Sequence, residues 1–253
     1  MASYFIYDSI NMYRSDNTDS EGTISTGTFS PGTAITNHER ASDQNIGTIM
    51  SDIADNDAIQ YAVGSSATAN ASAVYFTGDD GVSSGTIMTF YASDNTTVGS
   101  SIGTISAVSA AGWAVADLTE STKNKFYTEF NASVSNVSEI LIGKKLNFEI
   151  EPDVNVQSSI NYENEVQRSL GGVEYAINVN PGQEVFTISF QNISSTFKTN
   201  LITMQDAIKG EAKKFVWYDG SSFNWVRLDK PMTFTEIADG RFSTQLVLRQ
   251  QIQ

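Results

Sequence analysis

Short runs of β-forming residues, each bounded by a cluster of Gly, Asp or Asn, recur along most of the chain. In the first half they are AIQYAV (58–63), AVYFTG (73–78), TIMTFYAS (86–93), KFYTEFNAS (125–133) and VSEILIGKKLNFEIE (137–151). In KFYTEF, Phe126, Thr128 and Phe130 alternate with Tyr127 and Glu129, the period of two expected of a strand with one face in water. Such spacing predicts a mainly β protein, with a β-sandwich as the simplest arrangement of the first half.

Charge divides the chain into two compositions that meet near Pro152. Residues 1–153 hold 6 Lys or Arg and 19 Asp or Glu, a net charge of −13, whereas residues 154–253 hold 9 and 10, a net charge of −1. At 253 residues the chain is long enough for two domains that each have a core. We therefore predict one domain over 1–153 and a second over 154–253.

Composition argues against several classes of function. The absence of cysteine removes disulfides, thiol catalysis and thiolate metal sites. A formal net charge of −14 without a basic stripe argues against nucleic-acid recognition. No apolar run approaches the roughly 20 residues that cross a bilayer, and the Met-Ala-Ser-Tyr start has no basic and apolar leader. We expect neither membrane insertion nor a secretion signal.

No residue pattern indicates catalysis or a cofactor. His38 is the one histidine and has no evident nucleophile or ligand partner in the sequence. No nucleophile elbow, zinc-protease motif or P-loop is present. Three acidic clusters leave cation binding at a sandwich loop open, although none has the ligand spacing of an EF-hand. These clusters are Asp16, Asp19 and Glu21; Asp52, Asp55 and Asp57; and Asp79 and Asp80. We predict a protein that is not an enzyme and binds no cofactor, with a carboxylate-based glycosidase as a remote alternative.

The second half reads as strands interrupted by one helix. VEYAINV and EVFTISF flank a Pro181-Gly182 turn signal and predict a hairpin. In SSTFKTNLITMQDAIKG, Phe197, Leu201, Met204 and Ile208 recur at helical spacing. Ser194 or Ser195 is placed to cap the start of this helix, and Gly210 to close it. Two aromatic-rich strands and the run RFSTQLVLRQQ follow, so the predicted order is β-β-α-β-β-β.

Aromatic and arginine residues beside these strands are the candidate contact residues. Trp217 and Trp225 lie on either side of a turn, where strand aromatics are more often core or subunit interface than sugar platforms. Trp113, in the loop-like stretch SAAGWAV, is the candidate for glycan contact. Arg168 and Arg241 border strands and suit pairing with carboxylates across a subunit boundary.

The first half resembles a galactose-binding-like, discoidin-type jelly roll. In that family a late strand carries the pattern V-x-E-I-x-I-G, matched here by Val137, Glu139, Ile140, Ile142 and Gly143. The resemblance covers about half of the chain and implies a jelly-roll sandwich whose end loops often bind carbohydrate. No sugar-binding residue can be assigned from it by motif.

The second half resembles the hub domain of bacteriophage distal tail and minor tail proteins. The ordered features are an Arg-x-x-Gly-Gly entrance (Arg168, Gly171, Gly172), an FTISF strand, a helix ending near Lys-Gly, an FVWYDG strand, the stretch WVRLDKPMTF and a closing RFSTQLVLRQ strand. The resemblance implies a tail-tube-like domain whose copies pair strands side by side into a ring around the DNA channel. Distal tail proteins usually place this domain first, whereas here the sandwich precedes it.

These interpretations together predict a structural virion protein of a long-tailed phage. It would be a distal tail or baseplate ring component that links the tail tube to adsorption parts and assembles in the host cytoplasm. Its expected partners are sister copies and other tail proteins, with a host-surface glycan as a further partner of the sandwich. Arg168, Gly171, Gly172, Trp217, Trp225 and Arg241 are the interface candidates. The alternative is a non-catalytic carbohydrate-binding protein outside a virion.

Overall fold

The computed structural model describes residues 3–10, 17–25, 27–32, 35–95, 97–152, 156–162, 164–168, 174–178 and 182–251. The chain divides into two compact units. The N-terminal unit is Phe5–Leu146, and the C-terminal unit is Asn147–Ile252 together with Met1–Tyr4. The predicted mainly β class, with one α-helix among the described residues, is confirmed.

The described residues of the N-terminal unit form eight strands and a short 3-10 helix over His38–Ser42. The strands are β1 (Tyr4–Tyr7), β2 (Asn17–Ser25), β3 (Thr28–Pro31), β4 (Asp57–Phe76), β5 (Thr86–Ser93), β6 (Ser101–Ser106), β7 (Gly112–Phe130) and β8 (Val137–Asn147). Their order is β6-β5-β7-β4-β8-β1, with β2 paired to β4 and β3 to β2. Two long neighbours, β4 and β7, therefore form the centre of this unit.

β4 bends where its side chains are small. Its register with β7 shifts between Ala62 and Ala67 and again between Ala69 and Ala71, and such bulges bend a strand. The part before the shifts pairs with β2, and the part after them pairs with β8. Side chains from both parts, Tyr61 and Phe76 among them, enter one buried cluster. The predicted β-sandwich is therefore confirmed, and the bend in β4 lets both parts of the strand line one core.

The C-terminal unit combines short strands with a single described helix. The strands are β9 (Gln157–Asn161), β10 (Asn164–Arg168), β11 (Glu174–Asn178), β12 (Gln183–Ser194), β13 (Phe215–Tyr218), β14 (Phe223–Leu228), β15 (Thr233–Ala238) and β16 (Arg241–Gln250), and the helix is α1 (Ser195–Ala207). The main sheet runs β13-β14-β16-β12-β9, with β15 beside the first part of β16. β10 and β11 form a separate two-stranded sheet.

The predicted helix is confirmed, including its cap and its buried face. Ser194 is the N-cap, and its hydroxyl accepts a hydrogen bond from the backbone N–H of Phe197 at 3.1 Å. Phe197, Leu201 and Met204 are buried. Gly210 has a φ of +65°, the left-handed conformation that glycine adopts at least cost after a helix end.

The predicted hairpin around Pro181-Gly182 is wrong. β11 pairs with β10, whereas β12 pairs with β9 on one side and with β16 on the other. Because both edges of β12 are occupied, β11 cannot pair with it. The predicted order also omitted β9, β10 and β15, which have no long alternating apolar pattern.

Residues just before the predicted boundary at 153 belong to the C-terminal unit. Phe148 packs edge-to-face against Phe190, with ring centroids 5.1 Å apart, and also contacts Phe197. Glu151 accepts hydrogen bonds from the N–H of Ser3 at 3.0 Å and from its hydroxyl at 2.7 Å. Aromatic packing therefore joins Phe148 to this unit, and the Glu151 carboxylate joins the N-terminal end of the chain to it.

Candidate assembly surface

The part of the main sheet formed by β12, β15 and β16 has one apolar face and one mainly polar face. Phe186, Ile188 and Phe190 of β12 are buried on the side where Phe190 meets Phe197 of α1, at 5.9 Å between ring centroids. Side chains at alternate positions point to the opposite side. We call these two sides the helix face and the polar face.

The polar face carries an array of hydroxyl and amide side chains. Cross-strand pairing puts Gln157, Ser159 and Asn161 of β9, Ser189 of β12, Ser243 and Gln245 of β16, and Thr233 and Thr235 of β15 on this side. Part of the array, with Gln191, lines a shallow groove of about 320 Å³. An ion pair lies farther along the same face, where Arg249 Nη2 meets Asp229 at 2.6 Å. The groove lining is uncharged, and Phe190 is its one apolar residue.

Two strands, β9 and β15, end the sheet at open edges. Among the described residues, no strand pairs with the outer side of either one. All five residues of β9 are exposed, and Ile160 is 61% exposed. Ile237 of β15 is 52% exposed. Neither strand contains Lys, Arg or Pro, the residues that commonly protect an edge against pairing. Both edges are therefore templates for another strand.

The two predicted arginines are exposed and already have contacts within the chain. Arg168 Nη2 lies 2.7 Å from Glu174 Oε1, and this pair joins opposite positions of β10 and β11. Arg241 donates to the carbonyl of Asn192 at 3.4 Å. Gly171 and Gly172 lie outside the described residues.

Trp217 and Trp225, two of the predicted interface residues, are buried within the chain. Trp217 is 1% exposed and Trp225 is 4% exposed. The Trp217 ring packs edge-to-face on Phe186, with centroids 5.1 Å apart. Rings held in the core of one chain present no surface to a sister copy. The sequence left open whether these aromatic residues lie in the core or at a subunit interface, and both lie in the core.

Trp113, the glycan-contact candidate, is half-buried in the N-terminal unit. It is directly opposite Tyr75, across the β4–β7 pair, and the two rings meet at 5.2 Å between centroids with an angle of 60°. Tyr75 is also half-buried. The two rings form a partly exposed aromatic pair at the start of β7, not in a loop.

The acidic cluster at Asp79 and Asp80 stabilises its own loop. Asp80 is fully buried, and its carboxylate accepts hydrogen bonds from the N–H groups of Val82, at 2.6 Å, and Val108, at 2.5 Å. Asp79 accepts one from the N–H of Gly81 at 2.7 Å. Backbone donors therefore occupy oxygens that a cation would need.

One carboxylate in each of the other two clusters has a comparable local role, and Asp16 lies outside the described residues. Glu21 accepts from the N–H of Ile35 at 2.6 Å, and Asp57 from that of Ala54 at 2.7 Å. His38 Nδ1 lies 3.8 Å from carboxylate oxygens of Glu21 and Glu39, beyond hydrogen-bond distance. In the part of the chain that the structure describes, no three His, Asp or Glu side chains are grouped to hold a metal.

Sequence reasoning missed the exposed edge residues. Ile160 is a single apolar residue in the polar run QSSIN, and Ile237 follows Glu236 near a turn. An isolated apolar residue on a surface is ordinary. Only the order of the strands reveals that both residues lie at the outer edges of one sheet.

Comparisons with known proteins do not assign the chain to a family. No protein-family model matches it, and no curated protein is significantly similar. It is similar to a solved structure of truncated AlyQ with CBM32 and alginate lyase domains, at 15% identity and a TM-score of 0.39. The match covers 88% of this chain and 56% of that one, so the chain spans just over half its length. Likeness this low carries no argument about function. In the described ranges, no helix is long and apolar enough for a membrane span.

Proposed function

We propose that the chain is a structural virion protein of a long-tailed phage, whose C-terminal unit assembles with sister copies. The observation that carries the proposal is the pair of open sheet edges, β9 and β15, with exposed Ile160 and Ile237. Monomeric proteins commonly block such edges with charges, proline or a covering segment. β9 has neither charge nor proline, and Glu236 is the one charged residue of β15. Edges with so few of these features are suited to strand addition.

The distribution of charge supports assembly through this unit. Residues 154–253 have a net charge of −1, so copies meet little long-range repulsion when these parts approach. Residues 1–153 have a net charge of −13 and would repel one another at low salt. We therefore assign self-association to the C-terminal unit and leave the acidic unit free for other contacts.

The place of the protein is a distal tail or baseplate ring, assembled in the host cytoplasm and joined there to other tail proteins. This finer assignment rests on the ordered resemblance of 155–253 to tail hub domains. A structural role of this kind requires no catalytic residue, metal or cofactor.

The experiment measures the assembly state of the full chain. Mass photometry and negative-stain imaging over a rising concentration range are expected to reveal annular particles of one size. Ile160→Lys, which places a charge on an open edge, is expected to reduce them strongly. Ile202→Lys is the matched control, because Ile202 is also exposed, at 40%, but lies on α1. A wild-type chain that stays monomeric at high concentration would overturn the proposal.

Carbohydrate binding by a monomer is the second candidate function, favoured by the partly exposed rings of Trp113 and Tyr75. Aromatic faces suit the apolar side of a sugar ring. On this alternative, a glycan array detects binding by a monomeric wild-type chain. Trp113→Ala abolishes that binding, and Ile160→Lys has no effect on it.

A further inference from the structure

We propose that β15 of one copy pairs antiparallel with β9 of the next copy, so that the C-terminal sheet continues from subunit to subunit. The inference rests on the proposed function, since it names the two edges through which copies assemble. It commits to a second copy of this chain as the partner of each edge.

Strand directions at the two edges fit this pairing. β9 is antiparallel to β12, β12 to β16, and β16 to β15. Directions therefore alternate from one edge to the other, and β9 and β15 run in opposite senses. Ser159 is level with Arg249 of β16, whereas Thr235 is level with Ser243, so the two edge strands are offset along the sheet by six residues of β16. A neighbour that keeps the same orientation and is displaced along the strands by this offset brings its β9 beside β15, and this junction is again antiparallel. The alternation of the sheet is unbroken across the subunit boundary.

The chemistry of the two faces also matches across such a junction. Ser159 of β9 and Thr235 of β15 lie on the polar face. Ile160 of β9 and Phe234 of β15 lie on the helix face. A neighbour in the same orientation brings hydroxyls beside hydroxyls and Ile160 towards Phe234. Side chains on the same face of neighbouring strands interact favourably when their polarities agree.

Neither strand repels the other. β9 has no charged residue, and Glu236 is the one charged residue of β15. Pairing would be stabilised by backbone hydrogen bonds between the two edges and by burial of the exposed Ile160 side chain. A strand pair of five or six residues is short, so closure into a ring, where each copy has two junctions, adds the needed stability.

Pairing of like edges is the competing arrangement. Two β9 strands could also meet antiparallel about a two-fold axis, but each copy would then keep β15 open. Pairing of unlike edges covers both with a single kind of contact, which repeats from copy to copy and closes into a ring where the rotation permits. The observation of two different open edges on one sheet favours this second arrangement.

Cysteine cross-linking of the full-length protein tests the pairing. The chain has no cysteine, so introduced thiols are the only ones present. Ser159→Cys and Thr235→Cys chains, carrying tags of different size, are mixed and mildly oxidised. A disulfide joining the two tagged chains is expected, and the double variant should give a ladder of linked copies. Thr233→Cys covers a register shifted by two residues.

The geometry within one chain excludes an internal cross-link. β12 and β16 lie between β9 and β15, which separates positions 159 and 235 by at least three strand spacings, or roughly 14 Å, before their offset along the strands is added. A disulfide requires Cα atoms within about 7 Å. Any disulfide between these positions therefore joins two copies.

Ser158→Cys is the matched control. Ser158 is the same residue type, is also exposed and lies next to Ser159, but it pairs with Phe186 on the helix face. Its cross-linking to Thr235→Cys is expected to be weak. Equal cross-linking of Ser158 and Ser159 would overturn the pairing, as would a Ser159→Cys chain that links efficiently to itself.

The outcomes separate this inference from the proposed function. If annular particles form and neither Thr233→Cys nor Thr235→Cys links to Ser159→Cys, the edge pairing is wrong while the structural role stands. If neither particles nor cross-links form at high concentration, both are rejected.

Discussion

The two units treat the edges of their sheets differently. In the N-terminal unit, the edge strand β3 has four residues, ends at Pro31 and is bridged at Thr28 to Thr97. β6 lies against β7, where Gly103 approaches Leu118 so closely that a Cβ would clash with it. In the C-terminal unit, β9 and β15 have no comparable cover among the described residues. The edge strands of the first unit are therefore bridged to, or packed against, other parts of the chain, whereas those of the second have no such cover among the described residues.

Each unit also has its own core. Mutations in the separate cores are expected to change the free energy of unfolding more than the other tests of this comparison. Phe148→Ala removes the ring between Phe190 and Phe197 and should destabilise the C-terminal unit by about 3–5 kcal/mol. Phe130→Ala, at a fully buried site of the N-terminal core, should cost a similar amount there. Urea unfolding of each variant provides the free energies.

Tryptophan fluorescence distinguishes the units. Trp217 and Trp225 lie in the C-terminal unit and Trp113 in the other, so a Trp113→Phe background reports on the C-terminal unit alone. In that background, Phe148→Ala should lower the urea midpoint and Phe130→Ala should leave it nearly unchanged. Equal shifts from both variants would mean that the units unfold as one, and the comparison would fail.

Alkaline pH should also distinguish the two units, with a smaller change in stability than the core mutations cause. Burial and the carboxylate of Asp8 raise the pKa of Tyr7 to about 12, and burial raises the pKa of Tyr127 to about 12. Burial and the hydrogen bond to Glu129 also raise the pKa of Tyr91. All three tyrosines lie in the N-terminal unit.

The sign follows from linkage. A group whose pKa is higher in the folded state contributes stability that is complete below its unfolded pKa, near 10 for tyrosine, and is lost as pH rises towards the folded value. Each unit of pKa corresponds to about 1.4 kcal/mol. We therefore expect the N-terminal unit to lose a few kcal/mol between about pH 10 and 12. The Tyr127→Phe variant should lose less unfolding free energy over that pH range, as measured by urea titration at each pH. An unchanged slope of unfolding free energy against pH would contradict the assignment.

Local patterns predicted the elements with strong periodicity and missed those whose partners are distant. The helix could be predicted because Ser194, the spacing of Phe197, Leu201 and Met204, and Gly210 all act locally. The hairpin prediction failed because β12 is satisfied by β9 and β16, which are separated from it in sequence. A local sequence pattern does not indicate which strands from distant parts of the chain will pair.

The same reason limits what could be predicted of the candidate site. Burial of Trp217 and Trp225 depends on which strands stack above them, and exposure of Ile160 depends on β9 being an edge. The boundary at 153 followed a change of composition, whereas Phe148 belongs to the C-terminal unit through contacts with Phe190 and Phe197. Along the chain, the change of composition comes a few residues after the point where the contacts pass from one unit to the other.

The smallest expected effects on stability are those of acidic pH and of salt. They are compared at one turn in each unit. Although burial opposes it, hydrogen bonds from the N–H groups and hydroxyls of Ser222 and Ser221 lower the pKa of Asp219 in the turn between β13 and β14. In the other unit, the hydrogen bond from Lys123 at 2.7 Å lowers the pKa of the exposed Asp94.

A lowered pKa contributes stability above the unfolded value, near 4, and this stability is lost as pH falls through the folded value. We expect Asp219→Ala to cost about 1 kcal/mol near neutral pH, because neutral hydrogen-bond donors lose their acceptor. Asp94→Ala should cost less. Most of its effect should be lost at about 1 M salt, where the Debye length is about 3 Å, because the contact with Lys123 joins two exposed charges and only the hydrogen bond from the N–H of Asn124 is uncharged. The Asp219 effect should persist there, since its partners are uncharged. Urea midpoints of both variants at low and high salt test this, and equal salt sensitivity would show that Asp219 acts through long-range charge and not through its turn.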